Sequence, residues 1–191
     1  MPRLLDSVIA PGSLASRDQP RLEVNGDYFL RPWSLADVDV VVAAYSDPEI
    51  QKWIPYSFDK VEAQQVIGRW IDTWSNETGA CWAIARQSDD VAFGRFAFQT
   101  IDFISGSAEI AYWVLPVFRG RGLAPLATSV MCEWAFHELG LHRVNLVHSV
   151  QNPASCRVAD KAGFELEGTM HRESIYLDGW HDTHLHARVH G

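Results

Sequence analysis

The sequence predicts an α+β fold: one mixed, mostly antiparallel sheet with helices on both faces. Three observations carry this. Residues 80–86 and 91–99 are apolar runs separated by the polar Gln87-Ser88-Asp89-Asp90, the pattern of an antiparallel hairpin. Only one stretch shows the strand–helix–strand order that a parallel crossover needs, from residues 107–114 through a helix to residues 143–150. Three of the helices cluster before the hairpin rather than alternating with strands, which argues against a doubly wound sheet.

Taken in order, residues 1–20 contain Pro2, Pro11, Gly12 and Pro20 and no period, so they read as an extension that wraps the domain or stays mobile. The domain itself runs over residues 21–191. Residues 22–31 read as a first strand ended by Pro32. Ser34 with Asp37 makes a capping box ahead of Val38, Val41, Val42 and Tyr45 at helical spacing. Asp47-Pro48 pairs an N-cap with a first-turn proline and opens a short helix reaching Ile54. Asp59 and Glu62 open a third helix, with Ala63, Val66, Ile67, Trp70, Ile71 and Trp74 as its buried stripe. Gly94 inside the second hairpin strand marks a bulge. A glycine-rich turn at residues 119–122 leads into a helix bearing Leu123, Ala127, Val130, Met131 and Trp134 and ending near Gly140. Asn152-Pro153 caps a short helix that stops at Gly163. Residues 164–169 and the segments on either side of Asp178-Gly179 supply the closing strands.

The 191 residues suit one domain with a single well-buried core, and 47% apolar with 21% charged residues is ordinary for a globular chain. The formal net charge of −8 lacks the basic excess of a duplex binder, so no nucleic-acid partner is expected. The acidic surface serves solubility and also attracts cationic amines. Cys81, Cys132 and Cys156 are odd in number, widely spaced and without a CxxC, which argues against a disulfide framework or zinc knuckle and fits a reducing cytoplasm. The N-terminus meets Asp6 before any apolar core develops, unlike a signal peptide. The longest apolar stretch, residues 110–118, is broken by Pro116 and is too short to span a bilayer.

The chemistry concentrates in Tyr112-Trp113-Val114-Leu115-Pro116-Val117-Phe118-Arg119-Gly120-Arg121-Gly122-Leu123-Ala124. A strand feeding a glycine turn that feeds a helix aims backbone N–H groups and the positive helix end at one spot. Gly120 and Gly122 permit close approach, Arg119 and Arg121 add cations, and a pyrophosphate is the natural guest. A P-loop is excluded because no Gly-Lys-Ser/Thr follows, and the dinucleotide fingerprint fails where Pro125 replaces its last glycine. On its own the hexamer reads equally as a plain Gly/Arg turn.

Arg119 to Ala124 resembles the R/Q-x-x-G-x-G/A coenzyme A signature of the GNAT acyltransferases. Around it, Ala108 to Val114, Glu133-Trp134-Ala135-Phe136, Leu139 to Arg143, Asn152-Pro153-Ala154-Ser155, Lys161-Ala162-Gly163-Phe164 and Glu167-Gly168 resemble the ribosomal-protein N-acetyltransferase branch of that family. So do Leu30-Arg31-Pro32-Trp33 and Asp47-Pro48-Glu49, so the likeness covers roughly residues 28–190. The resemblance implies a GNAT-like three-layer fold in which the strand before the glycine turn splays from its neighbour and the pantetheine arm of acetyl-CoA lies in the gap. It assigns pantetheine contacts to Trp113, Val114, Leu115 and Asn152, pyrophosphate contacts to Arg119, Gly120, Arg121, Gly122, Leu123 and Ala124, and a coenzyme A contact to Ser155 as well. Lys161, at the end of the helix after Asn152, adds a further cation for the nucleotide half.

Direct acyl transfer requires an ammonium of pKa near ~10 to lose a proton and a thiolate of pKa about 8.5 to gain one. Glu109 is the candidate base, because strand alternation puts it with Ala111 and Trp113, opposite Ile110 and Tyr112. It reads equally as a solvated or ion-paired strand charge, and the family often has glycine where Ala111 sits. Ser155 matches the serine of the family's N-x-x-S pattern and is the candidate acid; it also reads as a first-turn helix serine, and Asn152 as its cap. Tyr112 and Tyr176 are secondary proton donors. His184 and His186 share a strand face, but His181, His184, His186 and His190 are expected to be solvated edge residues, and no metal is expected. The eight tryptophans are mostly core, with Trp33, Trp53 and Trp74 able to line an acceptor cleft. The expectation is a cytoplasmic enzyme, monomer or homodimer, that moves acetyl from acetyl-CoA to an amine, with a protein N-terminus as acceptor. A small-molecule amine and a non-catalytic acyl-CoA sensor are the alternatives.

Overall fold

The computed structural model of the protein describes residues 4–191. Residues 1–3, on which part of the N-terminal reading rests, lie outside the described residues. Strands β1 (Leu22–Asn25), β2 (Tyr28–Pro32), β3 (Ala80–Arg86), β4 (Ala92–Asp102) and β5 (Ser107–Val114) pair antiparallel in that order. β6 (Arg143–Ser149) joins β5 in parallel. β8 (Gly179–Val189) lies against β6, and β7 (Glu165–Tyr176) forms the far edge, so the order is β1-β2-β3-β4-β5-β6-β8-β7.

Side-chain alternation divides the core into two layers. From β3, Cys81 and Ala83 meet Trp33, Val41, Tyr45, Ile50 and Ile67, which come from the segment of helices α1 (Val38–Tyr45), α2 (Pro48–Gln51) and α3 (Lys60–Ser75). Ala80, Trp82 and Ile84 face the opposite way, toward Met131 of α4 (Leu123–Trp134) and Ala159 of α5 (Pro153–Lys161). α4 runs on through a π turn, Ala135–Leu139, to Gly140 at φ 82°.

Capping follows the sequence closely. The Asp47 side chain accepts from the N–H groups of Glu49 and Ile50, and Asp59 and Glu62 form a reciprocal capping box. The strand expected over residues 22–31 is instead a hairpin. Asn25 Oδ1 accepts from the N–H groups of Asp27 (3.0 Å) and Tyr28 (3.2 Å), and this side-chain turn reverses the chain. The helix after Asp47 ends at Gln51, short of Ile54, and Ile71 stays 41% exposed although its spacing placed it on the buried stripe of α3. The bulge at Gly94 is present: Ile84 lies opposite Gly94 and Ala85 opposite Ala92, leaving Phe93 unmatched. A Cβ on Gly94 would sit 2.6 Å from Trp113 O, so glycine is what lets β4 approach β5 there.

The described part of the extension wraps the domain. Ile9 and Leu14 are buried in the core layer beneath α4. The Glu77 carboxylate accepts from the N–H groups of Gly12 (2.7 Å), Leu14 (2.8 Å) and Ala15 (3.3 Å), and these bonds hold its pKa below the ordinary glutamate value against the opposing effect of burial. Trp74 and Trp82 donate their indole N–H groups to the carbonyls of Arg17 and Pro20. Among the described residues no helix is long and apolar enough to cross a membrane.

Candidate active site

β5 and β6 pair only from Ser107 with Arg143 to Ile110 with Leu146. Beyond that point β5 stays on β4 as far as Val114, and β6 stays on β8 as far as Ser149. The strands therefore part, and a cleft of about 770 Å³ opens between Ala111–Val114 on one side and Val147–Ser149 on the other. Each parted strand presents a backbone edge to the gap, and an extended amide chain can pair with such an edge.

The glycine turn closes one end of this cleft. Gly120 and Gly122 have φ of 77° and 71°, values that side-chain-bearing residues resist, and a Cβ at either would meet nothing within 4 Å. The N–H groups of Gly120, Arg121 and Gly122 have no backbone partner among the described residues, and α4 begins at the next residue. Open space, free donors and the positive end of a twelve-residue helix make an anion cradle. Arg119 Nε donates to Val114 O at 2.9 Å, which ties the turn to the end of β5. The Arg121 guanidinium lies over the Phe118 ring, 5.4 Å from its centroid.

Of the residues assigned to coenzyme A, Trp113, Val114, Arg119, Gly120, Gly122, Leu123, Ala124, Asn152 and Ser155 line the cleft together. Leu115, Arg121 and Lys161 do not line it: Leu115 packs against both core layers, Arg121 rests on Phe118, and Lys161 is exposed in the last turn of α5. Asn152 caps α5 by accepting from Ser155 N at 3.2 Å while also lining the cleft, so the capping and cleft-wall roles coincide. Trp53 lines the opposite end with Tyr176, their rings 5.9 Å apart and edge-on. Trp33 and Trp74 are instead buried in the two core layers.

Among the described residues, three sets of proton-handling groups lie in the lining of the gap or bonded to it. Glu109 is half-buried on β5 and accepts from Gln99 Nε2 at 3.2 Å. Burial raises its pKa above the ordinary value, the Gln99 bond opposes that, and the Glu173 charge adds to it. Gln99 and Ala111 line the cleft, and Glu109 stands behind them. Tyr112 is pushed up to about 12 by burial, offset in part by the neighbouring Ser155 hydroxyl, so its phenol keeps its proton. The third set was missed in the sequence. Ser149 Oγ lies 2.7 Å from His181 Nδ1, and His181 Nε2 lies 2.9 Å from Asp178 Oδ1. With Nε2–H donating to Asp178, Nδ1 accepts from the serine hydroxyl, which itself accepts from Gln151 N. The available signal was the i,i+3 spacing of Asp178 and His181 across the tight Asp178-Gly179 turn.

The expectation of solvated edge histidines needs correction. β7, not β8, takes the sheet edge, so His181 and His186 are buried. His184 and His186 do share a face of β8, and His148 of β6 and Cys156 of α5 join them in one cluster.

Residues 28–165 match the acetyltransferase (GNAT) domain family. The N-acetyltransferase YoaA of Bacillus subtilis is 27% identical over 165 residues, covering 84% of this chain and 92% of that protein. A ribosomal-protein-serine acetyltransferase of Escherichia coli is 30% identical over 101 residues, covering 53% of this chain and 56% of that one. Among solved structures, a ribosomal-protein α-N-acetyltransferase in complex with coenzyme A has a TM-score of 0.82 at 22% identity, covering 89% of this chain and 98% of that chain. The parted strands, the open glycine turn at the head of α4 and the family match over most of the sheet agree, and the chain belongs to the GNAT family as an acetyl-CoA-dependent N-acetyltransferase.

Proposed function

We propose that this enzyme acetylates the α-amine of a protein N-terminus, with Glu109 as general base and Ser155 as general acid. The observation that carries the reading is the parting of β5 and β6 after Ile110 and Leu146, which opens a cleft with the anion cradle in its lining and leaves the half-buried Glu109 just before the parting, bonded to the lining residue Gln99. Acetyl-CoA fits the residues present, and when bound it supplies the thioester whose acetyl group passes to the amine. The backbone at Gly120 to Gly122 would hold its pyrophosphate, and the free edges of residues 111–114 and 147–149 its pantetheine. The raised pKa of Glu109 suits it to accept an ammonium proton through a water passed by Gln99 and Ala111. The Ser155 hydroxyl, backed by the protonated Tyr112, faces the same gap and can return a proton to the departing sulfur.

The protein acceptor is supported by the Escherichia coli relative named for a ribosomal-protein serine, and by a cleft mouth bordered by Glu49, Trp53, Tyr56 and Tyr176, where a carboxylate attracts the ammonium and aromatic rings flank a peptide. Thiol release from acetyl-CoA, measured against peptides with free N-termini, lysine-only peptides with blocked N-termini and spermidine, tests it. Preference for the free N-termini by kcat/KM supports the reading, and preference for spermidine or for lysine overturns it. The Ser149–His181–Asp178 chain favours a second proton route, from the cleft wall to exposed Asp178. Loss of kcat in His181→Gln but not in Glu109→Gln would assign the base to that route.

A further inference from the structure

We propose that His148, Cys156, His184 and His186 form a tetrahedral site for a borderline-soft divalent cation, with Zn2+ as the fitting ion. One ligand atom from each of the four residues lies within 4.8 Å of all the others. They come from three elements: His148 from β6, Cys156 from α5, and His184 and His186 from the facing side of β8. His148 sits directly across from His184 in the ladder, and His186 is two residues further along the same face.

The geometry is close to what a metal requires. Zinc bonds of about 2.0–2.1 Å to nitrogen and about 2.3 Å to sulfur give tetrahedral edges of roughly 3.3–3.6 Å. His148 Nε2 and His186 Nε2 already stand 3.1 Å apart. His148 Nδ1 lies 2.8 Å from Ser149 O and can donate only to it, which leaves the Nε2 lone pair aimed into the cluster. A backbone carbonyl that fixes the tautomer of a ligating histidine is a regular outer-sphere device at metal sites.

A plain hydrogen-bond network accounts for the cluster poorly. His184 Nδ1 is buried without a hydrogen-bond partner among the described residues, although a closed polar network would satisfy its members. One cysteine sulfur and three imidazoles make a soft-to-borderline donor set suited to zinc. Binding is balanced as M2+ plus the Cys156 thiol giving the thiolate complex and one proton. With four protein ligands the coordination sphere is closed, so the role is structural. The ion would tie α5, which carries Asn152 and Ser155, to β6 and β8 and so fix one wall of the acetyl-CoA cleft. The site rests on this cluster alone and stands or falls separately from the choice of acceptor amine.

The test is a Co2+ titration of the full-length, chelator-stripped protein, read by absorption. One equivalent should produce visible ligand-field bands of tetrahedral intensity and a near-ultraviolet thiolate-to-cobalt charge-transfer band. Zn2+ should bleach both and raise Tm. Cys156→Ser, checked for native circular dichroism, should lose the charge-transfer band, and His184→Gln should weaken Co2+ binding at least tenfold. Absence of tetrahedral bands at stoichiometric Co2+ in the folded protein overturns the proposal. So does a charge-transfer band that persists in Cys156→Ser, because the sulfur would then belong to Cys81 or Cys132.

Discussion

Replacing Glu109 with glutamine removes a proton acceptor while leaving the shape of the cleft in place. Gln99 and Ala111, not Glu109, form the adjacent wall, and a glutamine can keep the contact with Gln99 through its own carbonyl. Loss of a general base costs about 10² to 10⁴ in rate. At ~1.36 kcal/mol per decade this is about 2.7–5.5 kcal/mol of transition-state stabilisation. Glu109 acts through water rather than by direct contact, so the expected fall in kcat is near the lower figure, roughly 10². Glu109 lies on the paired part of β5 and outside the cleft lining that would hold acetyl-CoA, so the acetyl-CoA KM should barely move. In the parent enzyme kcat should rise with pH through an ionisation above the ordinary glutamate pKa, and the variant should lack that limb while keeping the limb that belongs to the amine. Stability gives an independent check. The folded-state pKa is raised, so the stabilising effect of the protonated carboxyl is complete below the unfolded-state pKa and is lost as pH rises through the folded-state value. Glutamine suffers no such loss, so at neutral pH Glu109→Gln should be at least as stable as the parent, and its relative advantage should vanish in acid. Steady-state kinetics with the true acceptor and urea unfolding at several pH values measure both. A variant with kcat within threefold of the parent refutes the base assignment, and one whose kcat falls only with a matching rise in acetyl-CoA KM makes Glu109 a cleft-shaping residue.

Gly122→Val should abolish coenzyme A binding in calorimetric titration while the protein stays folded, because φ of 71° resists a β-branched residue and the added carbons would enter the open cradle; unchanged affinity would move the pyrophosphate elsewhere. Leu14→Ala should cost about 2–5 kcal/mol, since the side chain is fully buried. At roughly 2–4 °C per kcal/mol, Tm should fall by about 4–20 °C. Leu4→Ala, at a fully exposed position, should change stability by less than ~0.5 kcal/mol, and equal effects of the two would show that the extension does not dock as described.

Local rules carried most of the fold into the sequence. Asp47, Asp59 and Asn152 each sit where a cap was expected, because capping depends on three or four consecutive residues. The boundaries of β3 and β5 were legible for the same kind of reason, as apolar runs between polar turns. The hairpin at Asn25 was legible too, as Asn25-Gly26 between Val24 and Tyr28, but the long strand expected over residues 22–31 ran across that turn signal. The glycine turn was legible as an anion site because its chemistry is contiguous. The His148–Cys156–His184–His186 cluster and the Ser149–His181–Asp178 chain were not, since each needs β6 to lie beside β8, a pairing between segments about forty residues apart that no local period encodes. Nor does the sequence reveal that β7 rather than β8 takes the edge, which is what turns surface histidines into buried ones.

The four-pair ladder between β5 and β6 also bears on how the chain assembles. Everything from β1 to β5 pairs antiparallel in chain order, while β6, β8 and β7 form a second block with its own closing hairpin. These blocks share only the short run from Ser107 to Ile110 within the sheet. A parallel contact of this kind closes late in folding, because it waits on the entropy of a loop that includes all of α4. The amide protons of β6 that face β5 should therefore exchange through a lower-energy opening than those of β3 and β4, and the cleft would be hinged on the last part of the sheet to form and the first to loosen.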